Sequence, residues 1–384
     1  MGGDRIKNIG MNRTQLFLFL FLLPLLFSCR GGKGELTALP EGDTIPLQYA
    51  KNLTLVRYPG FVKADIRNPW DSTRNLRTYL LVPDSLPLPK ELPEGTVIRT
   101  PLKNSLVYSS VHQSLVDELG KGDAIGGIVD YQYITRPSIR RLVETGKAVD
   151  CGTITSPNLE RIIRLNPDAI ILSPFESSGT YGKIDELGIP VIESADYTEN
   201  HPLGRAEWMK FFGLLYGRDA QARQMFRQTE AEYENIRSRV KAEGGKKPRV
   251  LLDALYGQTW NLPGDGSLMD TFIRDAGGEN PFSGMGKGFN LPLSGEQVLH
   301  RAKDADIWLM RYWQDKNKSL EELGKDNPLY PQFDAFRTGN VYGCNTKYVE
   351  FFEDVPFHPQ WFLEELASLL QPDSKISAKY FTKL

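Results

Sequence analysis

From residue 105 onward, short apolar runs alternate with amphipathic segments, and this alternation restricts the fold more than any other feature of the chain. "SLVYS" is followed by "VHQSLVDELG", "AIGGIV" by "PSIRRLVETG", and "NLERIIRLNP" by "AIIL", "YGKIDELG" and "IPVIE". Strands separated by helix-length segments pair in parallel, because a parallel pair needs a long return connection. A second series begins after residue 248, with "RVLLDAL", "GSLMDTFIRDAGG", "SGEQVLHRA", "ADIWLM", "NVYG" and "HPQWFLEELASLL". Between the two, residues 202–243 are helical in pattern with one break at Gly217-Arg218-Asp219. The piece after the break would run about 37 Å at 1.5 Å per residue.

The expected fold is therefore α/β: two Rossmann-like lobes with mostly parallel sheets, joined by one long α-helix. Ahead of them, "NLTLVRY", "FVKADIR" and "RTYLLVP" read as strands of an N-terminal β-hairpin extension. The expected boundaries are a signal peptide at 1–28, a tether at 29–50, the β extension at 51–96, the N-terminal lobe at 97–201, the connecting helical segment at 202–247 and the C-terminal lobe at 248–384.

The N-terminus is a targeting segment. Basic "MGGDRIKNIGMNR" precedes the uncharged "LFLFLFLLPLLF" at 16–27. That core is shorter than the roughly 20 residues a spanning helix needs, and with its basic flank it reads as a secretory signal starting at Met1 or Met11. Leu26-Phe27-Ser28-Cys29 resembles a bacterial lipobox, although Phe27 is bulkier than usual there. It implies cleavage before Cys29 and diacylglycerol on its sulfur, with "RGGKGE" as a flexible tether. A plain secretory signal with an incidental cysteine is the alternative.

Several function classes are disfavoured. Lys and Arg number 46 against 48 Asp and Glu, without a basic block, so nothing argues for nucleic acid. Cys151 and Cys344 have no metal-site spacing and are expected as buried thiols in separate lobes. "SGMGKG" at 283–288 lacks the spacing and Lys-Ser/Thr ending of a phosphate loop, and no G-x-S-x-G elbow occurs. His112, His201, His300 and His358 do not pair at helical spacing, so neither catalytic residues nor a metal centre are expected. His112 reads as a cleft residue or a helix N-terminal one. Arg205 and Glu207 read as interlobe residues or as a surface face with Trp208 packed inward.

In "SPNLERIIRLNPDAIILS", Ser156-Pro157 reads as a helix start, Leu159, Ile162 and Ile163 as its apolar stripe, and Asn166-Pro167 as its stop. Glu160 lies off that stripe, in the first turn, where a carboxylate complements the helix dipole by about 0.3–1 kcal/mol. "MDTFIRDAGGENPF" likewise leaves Glu279 exposed after a Gly277-Gly278 stop. Together with "PLSGEQVLHRAKDADIWLM", "YPQFDAFRTGNVYG" and "HPQWFLEELASLLQP", the lipobox and the two-lobe plan, these stretches make residues 97–370 resemble the helical-backbone substrate-binding proteins of ABC importers. Those proteins bind ferric siderophores, haem and cobalamin. The region of "NPWDSTR" resembles a subgroup extension.

The resemblance implies a monomeric, non-enzymatic binding protein of the bacterial periplasm or cell envelope. It would have no cofactor of its own, would be held to the membrane by the N-terminal lipid, and would have an ABC permease and its ATPase as partners. A ferric siderophore is the first ligand expected and cobalamin or haem the second; a secreted enzyme or a structural lipoprotein on this scaffold are the competing classes. Glu160 and Glu279 match the glutamates that pair with permease arginines in that family.

Ligands of open α/β sheets bind beyond the carboxyl ends of the strands. Those ends carry Tyr108, Ser109, Tyr131, Tyr133 and Phe175 on the first lobe. On the second they carry Tyr256, Trp260, Arg311, Tyr312, Trp313 and Tyr348. Such rings offer apolar area with a polar edge, and Arg311 would meet an anionic chelate. For any single ring, a scaffold role is an equal alternative.

The lipobox reading predicts that Cys29→Ala releases the mature protein from membranes into the soluble fraction. A processed variant that still sedimented with membranes would contradict it.

Overall fold

Tyr58 and Phe61 pair across the tight turn Pro59-Gly60, where Gly60 takes φ 88°, a conformation costly for any residue with a Cβ. This turn sits in a five-stranded sheet built from Asp43–Ile45, Leu53–Tyr58, Phe61–Arg67, Asn75–Pro83 and Thr96–Thr100, in that order. The first four strands are antiparallel and the last is parallel to its neighbour. The computed structural model describes residues 41–176, 181–286, 288, 290–371 and 378–384. The signal peptide, Cys29 and residues 29–40 of the tether lie outside the described residues.

The first α/β lobe has the strand order Val191–Glu193, Ala169–Leu172, Ser105–Val107, Ile125–Ile128, Val149–Asp150, all parallel. The chain starts in the middle, builds to one side and then crosses to the other. Its switch point therefore lies between Ser105–Val107 and Ala169–Leu172, where open sheets bind their ligands. The second lobe pairs Val250–Leu252, Ile307–Tyr312 and Val341–Asn345 in parallel and closes with antiparallel Thr382–Lys383. A small antiparallel sheet, Leu255–Tyr256, Thr259–Leu262 and Leu291–Leu293, stands beside it.

Helix Asp219–Glu243 joins the lobes. Its Ala222 and Phe226 belong to the core shared by the extension and the first lobe, and its Tyr233 and Ile236 to the core of the second. In the first core, Leu55, Ala64 and Tyr79 of the extension pack with Ile171, Trp208 and Phe211.

Several sequence expectations need correction. Ser156–Pro157 does not open the helix but pairs with Gly152–Thr153 in a short hairpin. The cap is Asn158, whose side chain accepts from Arg161 N, and the helix is Leu159–Leu165. Ile162 is buried, but Ile163 points to solvent. Residues 182–187 form a 3₁₀ rather than an α-helix. Helix Leu320–Asp326, with its Ser319/Glu322 capping box, was not anticipated.

The side chains of Arg205 and Glu207 do not bridge the lobes; they bind within the first lobe and the start of the extension. Glu207 is buried and accepts from the backbone N–H groups of Gln48, Tyr49 and Ala50 at 3.0, 2.8 and 2.9 Å, and from Lys210 Nζ at 2.7 Å. Glu199 takes the next two N–H groups, of Lys51 and Asn52, and the indole of Trp208. Burial pushes the Glu199 carboxyl up, and those donors pull it back. Arg205 Nε donates to buried Asp196 at 3.0 Å, while His112 Nε2 lies 2.8 Å from its other oxygen. Burial opposes the Asp196 charge, yet His112 and Arg205 hold its carboxyl well below the usual range. Two buried carboxylates thus tie the start of the extension to the first lobe.

Removing one acceptor strands its donors. Glu207→Ala leaves three backbone N–H groups and Lys210 without it, and breaking such a buried charged cluster costs about 3–5 kcal/mol. A thermal-unfolding midpoint well below wild type is expected for Glu207→Ala; an unchanged midpoint would contradict this role.

Candidate functional site

The carboxyl ends of the two parallel sheets face each other. Tyr133, after Ile125–Ile128, meets Trp313, after Ile307–Tyr312, edge to face at 5.5 Å between ring centroids. Ser110 of the first lobe donates to Glu353 of the second at 2.8 Å. The strand ends turn sharply in both lobes. Asp130 and Asp253, just beyond Ile125–Ile128 and Val250–Leu252, adopt φ 54° and 53°, a region that aspartate tolerates better than most residues.

Large apolar side chains normally hide, so a concentration of exposed ones is informative. Tyr133, Phe175, Tyr256, Trp313, Tyr348 and Phe352 are all exposed, and all lie on segments that follow the carboxyl ends of the parallel strands, Tyr256 on a short strand and Phe352 in the short helix Phe351–Asp354. Tyr256 is the extreme case at 87%. The loops that carry them are held from behind. Asn345 Nδ2 donates to the carbonyls of Gln314 and Lys316, and Tyr348 Oη donates to Asp315 O at 2.6 Å. The rings are therefore presented from braced backbone.

Other expected contacts belong to the scaffold. Trp260 is 0% exposed; its indole donates to Leu252 O at 2.8 Å and packs among Trp308, Tyr330 and Phe333. It points inward because the antiparallel strand that carries it packs on the second core, which leaves its ring no exposed surface. Tyr131 is turned toward helix Pro137–Glu144, donating to Glu144 at 3.0 Å with Arg140 over its ring. Tyr312 accepts from Lys318 N at 2.9 Å.

Arg311 is not a free cation. Its Nε donates to Asp253 Oδ1 at 3.0 Å, its Nη2 pairs with Oδ2, and its guanidinium lies near the rings of Phe351 and Phe352. Tyr108 is buried at the switch point with no partner for its hydroxyl among the described residues, and burial pushes its phenol up to about 12. Ser109 beside it is the N-cap of helix Ser110–Glu118 without a side-chain cap bond.

Asp253 and Phe352 lie at these strand ends but were not singled out from the sequence. A strand-ending Asp in "RVLLD" was a visible signal, but the split of "FF" into buried Phe351 and exposed Phe352 was not.

Glu160 is exposed and has no ion-pair partner among the described residues, although Arg164 lies one turn on. Glu279 is exposed beside the amino end of Val250–Leu252, away from the aromatic rim, with Arg249 Nε at 3.4 Å. Neither lies among the rim residues. Among the described residues no cluster of three or more His, Cys, Asp or Glu is arranged to hold a metal ion, and no helix is long and apolar enough to cross a membrane.

A family profile described as periplasmic binding protein matches residues 107–348. An uncharacterized lipoprotein of Methanocaldococcus jannaschii is 27% identical over 353 residues, covering 85% of this chain and 82% of that protein. The iron-uptake system-binding protein of Bacillus subtilis is 23% identical over 204 residues, 52% of this chain and 61% of that one. Among solved structures, a periplasmic heme binding protein from Pseudomonas aeruginosa aligns with a TM-score of 0.57 at 17% identity, over 73% of this chain and 96% of that chain. An ABC-type Fe3+-hydroxamate transport system from Saccharomonospora viridis aligns with a TM-score of 0.54 at 15% identity, over 70% and 93%. At these identities the solved structures show the fold.

The burial of the two tryptophans separates their roles. Trp260→Ala should cost about 3–5 kcal/mol of stability, whereas exposed Trp313→Ala should stay within about 1 kcal/mol of wild type. Thermal or denaturant unfolding of both variants checks this; equal losses would mean that Trp313 is also scaffold.

Proposed function

The chain belongs to the periplasmic binding protein family, and we propose that it is the solute-binding component of an ABC importer, capturing a bulky metal chelate between its lobes and delivering it to a membrane permease. The observation that carries this reading is the rim of exposed aromatic side chains on the facing strand ends, with Tyr133, Phe175, Tyr256, Trp313, Tyr348 and Phe352 contributed by both lobes. Flat, partly polar rings supply large contact area at low conformational cost, and they suit a planar or aromatic chelate. Similar proteins point the same way: one is an iron-uptake system-binding protein, one a periplasmic heme binding protein and one an Fe3+-hydroxamate transport system. A ferric siderophore is the first candidate.

A specific observation favours cobalamin as the second. Arg311 is compensated by Asp253, so this part of the rim offers stacking without a free cation. A ligand with little net charge loses nothing by that. Haem is a third chelate of the same class. No chemical conversion is proposed.

Glu160 and Glu279 are proposed as docking charges for arginines of the permease. Exposed charges on separate lobes orient a partner and speed encounter, at a strength that falls with salt. Lipoprotein relatives support the Cys29 anchor and a place in the cell envelope.

Two sets of variants separate capture from delivery. Truncating a central aromatic contact often costs about 2 kcal/mol, around thirtyfold in affinity. Trp313→Ala with Tyr348→Ala should weaken binding of ferric catecholate siderophores by at least that factor in isothermal titration. Glu160→Ala with Glu279→Ala should leave that affinity unchanged and lower uptake by cells. Unaltered binding in the aromatic pair would remove the rim as the site; lost ligand affinity in the glutamate pair would remove the docking assignment.

A further inference from the structure

Behind the aromatic rim, the lobes meet along a polar seam. Helix Ser110–Glu118 of the first lobe packs against helix Phe351–Asp354 of the second. Glu118 is the shared acceptor. Arg136 Nη1 donates to its Oε1 at 2.9 Å, and His358 Nε2, from the other lobe, lies 2.6 Å from its Oε2. Arg136 also stands 3.9 Å from Glu350, and Ser110 donates to Glu353. Trp361 stacks on His358 at 4.1 Å and fixes the plane of the imidazole.

These groups are largely shielded, with the side chains of Arg136, Glu118 and His358 exposed by 19%, 17% and 13%. Shielding makes their attraction stronger than that of surface pairs. Burial opposes the charge on Glu118, yet His358 and Arg136 hold its carboxyl below the usual range.

Among the described residues, several buried polar atoms near these contacts in sequence have no hydrogen-bond partner. Helix Ser110–Glu118 contributes His112 Nδ1, Gln113 Oε1 and Ser114 Oγ; Thr135 Oγ1 and Gln360 Oε1 belong to residues adjacent in sequence or nearly so to Arg136 and His358. An apolar contact crosses the seam: Phe357 of the second lobe is buried in the first lobe's core, against Phe212 and His112.

We propose that this seam is a clasp between the lobes, in which Glu118 joins Arg136 to His358, Phe357 serves as the pivot, and separation of Glu118 from His358 opens the aromatic rim. The contacts on one side of the pivot are directional and break together, so the clasp gives two arrangements rather than a continuum. It does not depend on which solute is bound.

The test is a distance distribution across the rim, from spin labels placed at exposed Glu176 and Gln258 in the full chain and read by double electron–electron resonance. Unliganded wild type should give one dominant short distance. Glu118→Gln should raise the longer-distance fraction about tenfold or more, the expected effect of losing a shielded charged hydrogen bond. His358→Gln, on the other lobe, should do the same, and the double variant should exceed neither single by much, because the two residues form one contact. Thermal unfolding shows that each variant is folded. Unchanged distributions in both folded single variants, or fully additive shifts in the double variant, would overturn the clasp.

Discussion

The structure depends on one helix held in two cores. Asp219–Glu243 places Ala222 and Phe226 among the first lobe's apolar side chains and Tyr233 and Ile236 among the second's. Because its two ends are packed by different cores, the helix sets the angle at which the carboxyl ends of the two sheets confront each other. Everything attributed to the rim follows from that angle. Tyr133 and Trp313, each just beyond a strand of a different lobe, meet edge to face. A rigid helix also limits lobe motion more than flexible crossing segments would, so whatever opens the rim must act through local contacts.

Buried charge is placed where the chain would otherwise be loosely held. Glu207 and Glu199 collect five successive backbone N–H groups, from Gln48 to Asn52, and so fasten a segment with no secondary structure of its own to the first lobe. Asp196 gathers His112, Arg205 and Ser194 at the same level of the lobe. Asp253 does the equivalent at the rim, neutralising Arg311 and fixing it near Phe351 and Phe352. In each case an acid acts as an acceptor for several donors, the arrangement in which a wholly or partly buried carboxylate is tolerable.

Much of this was legible in the sequence because it rests on local pattern. Alternation of strand and helix signals implied parallel sheets, and the 3.6 periodicity after Gly217 implied the connecting helix. Loops at strand ends were identifiable, and most of the exposed rings fall in them. What failed depends on tertiary facing. Trp260 and Trp313 are both tryptophans near strand ends, yet one lies under a small antiparallel sheet and the other over a cleft. Arg311 read as a free cation because Asp253, its partner, lies 58 residues away in sequence. Ser156-Pro157 carried a good capping signal, but hairpin pairing with Gly152–Thr153 took that backbone first and moved the cap to Asn158. The Glu118–His358 contact spans 240 residues and left no local trace.

The central claim is that one chelate occupies the space between the aromatic strand ends. Native mass spectrometry of the mature protein, incubated at low micromolar concentration with ferric siderophores, haem and cobalamin, tests it most directly. The account predicts a one-to-one adduct with at least one of these chelates that survives gentle desolvation and that the metal-free siderophore does not reproduce at equal strength. Absence of an adduct with every chelate offered, from protein shown to be folded, would contradict it.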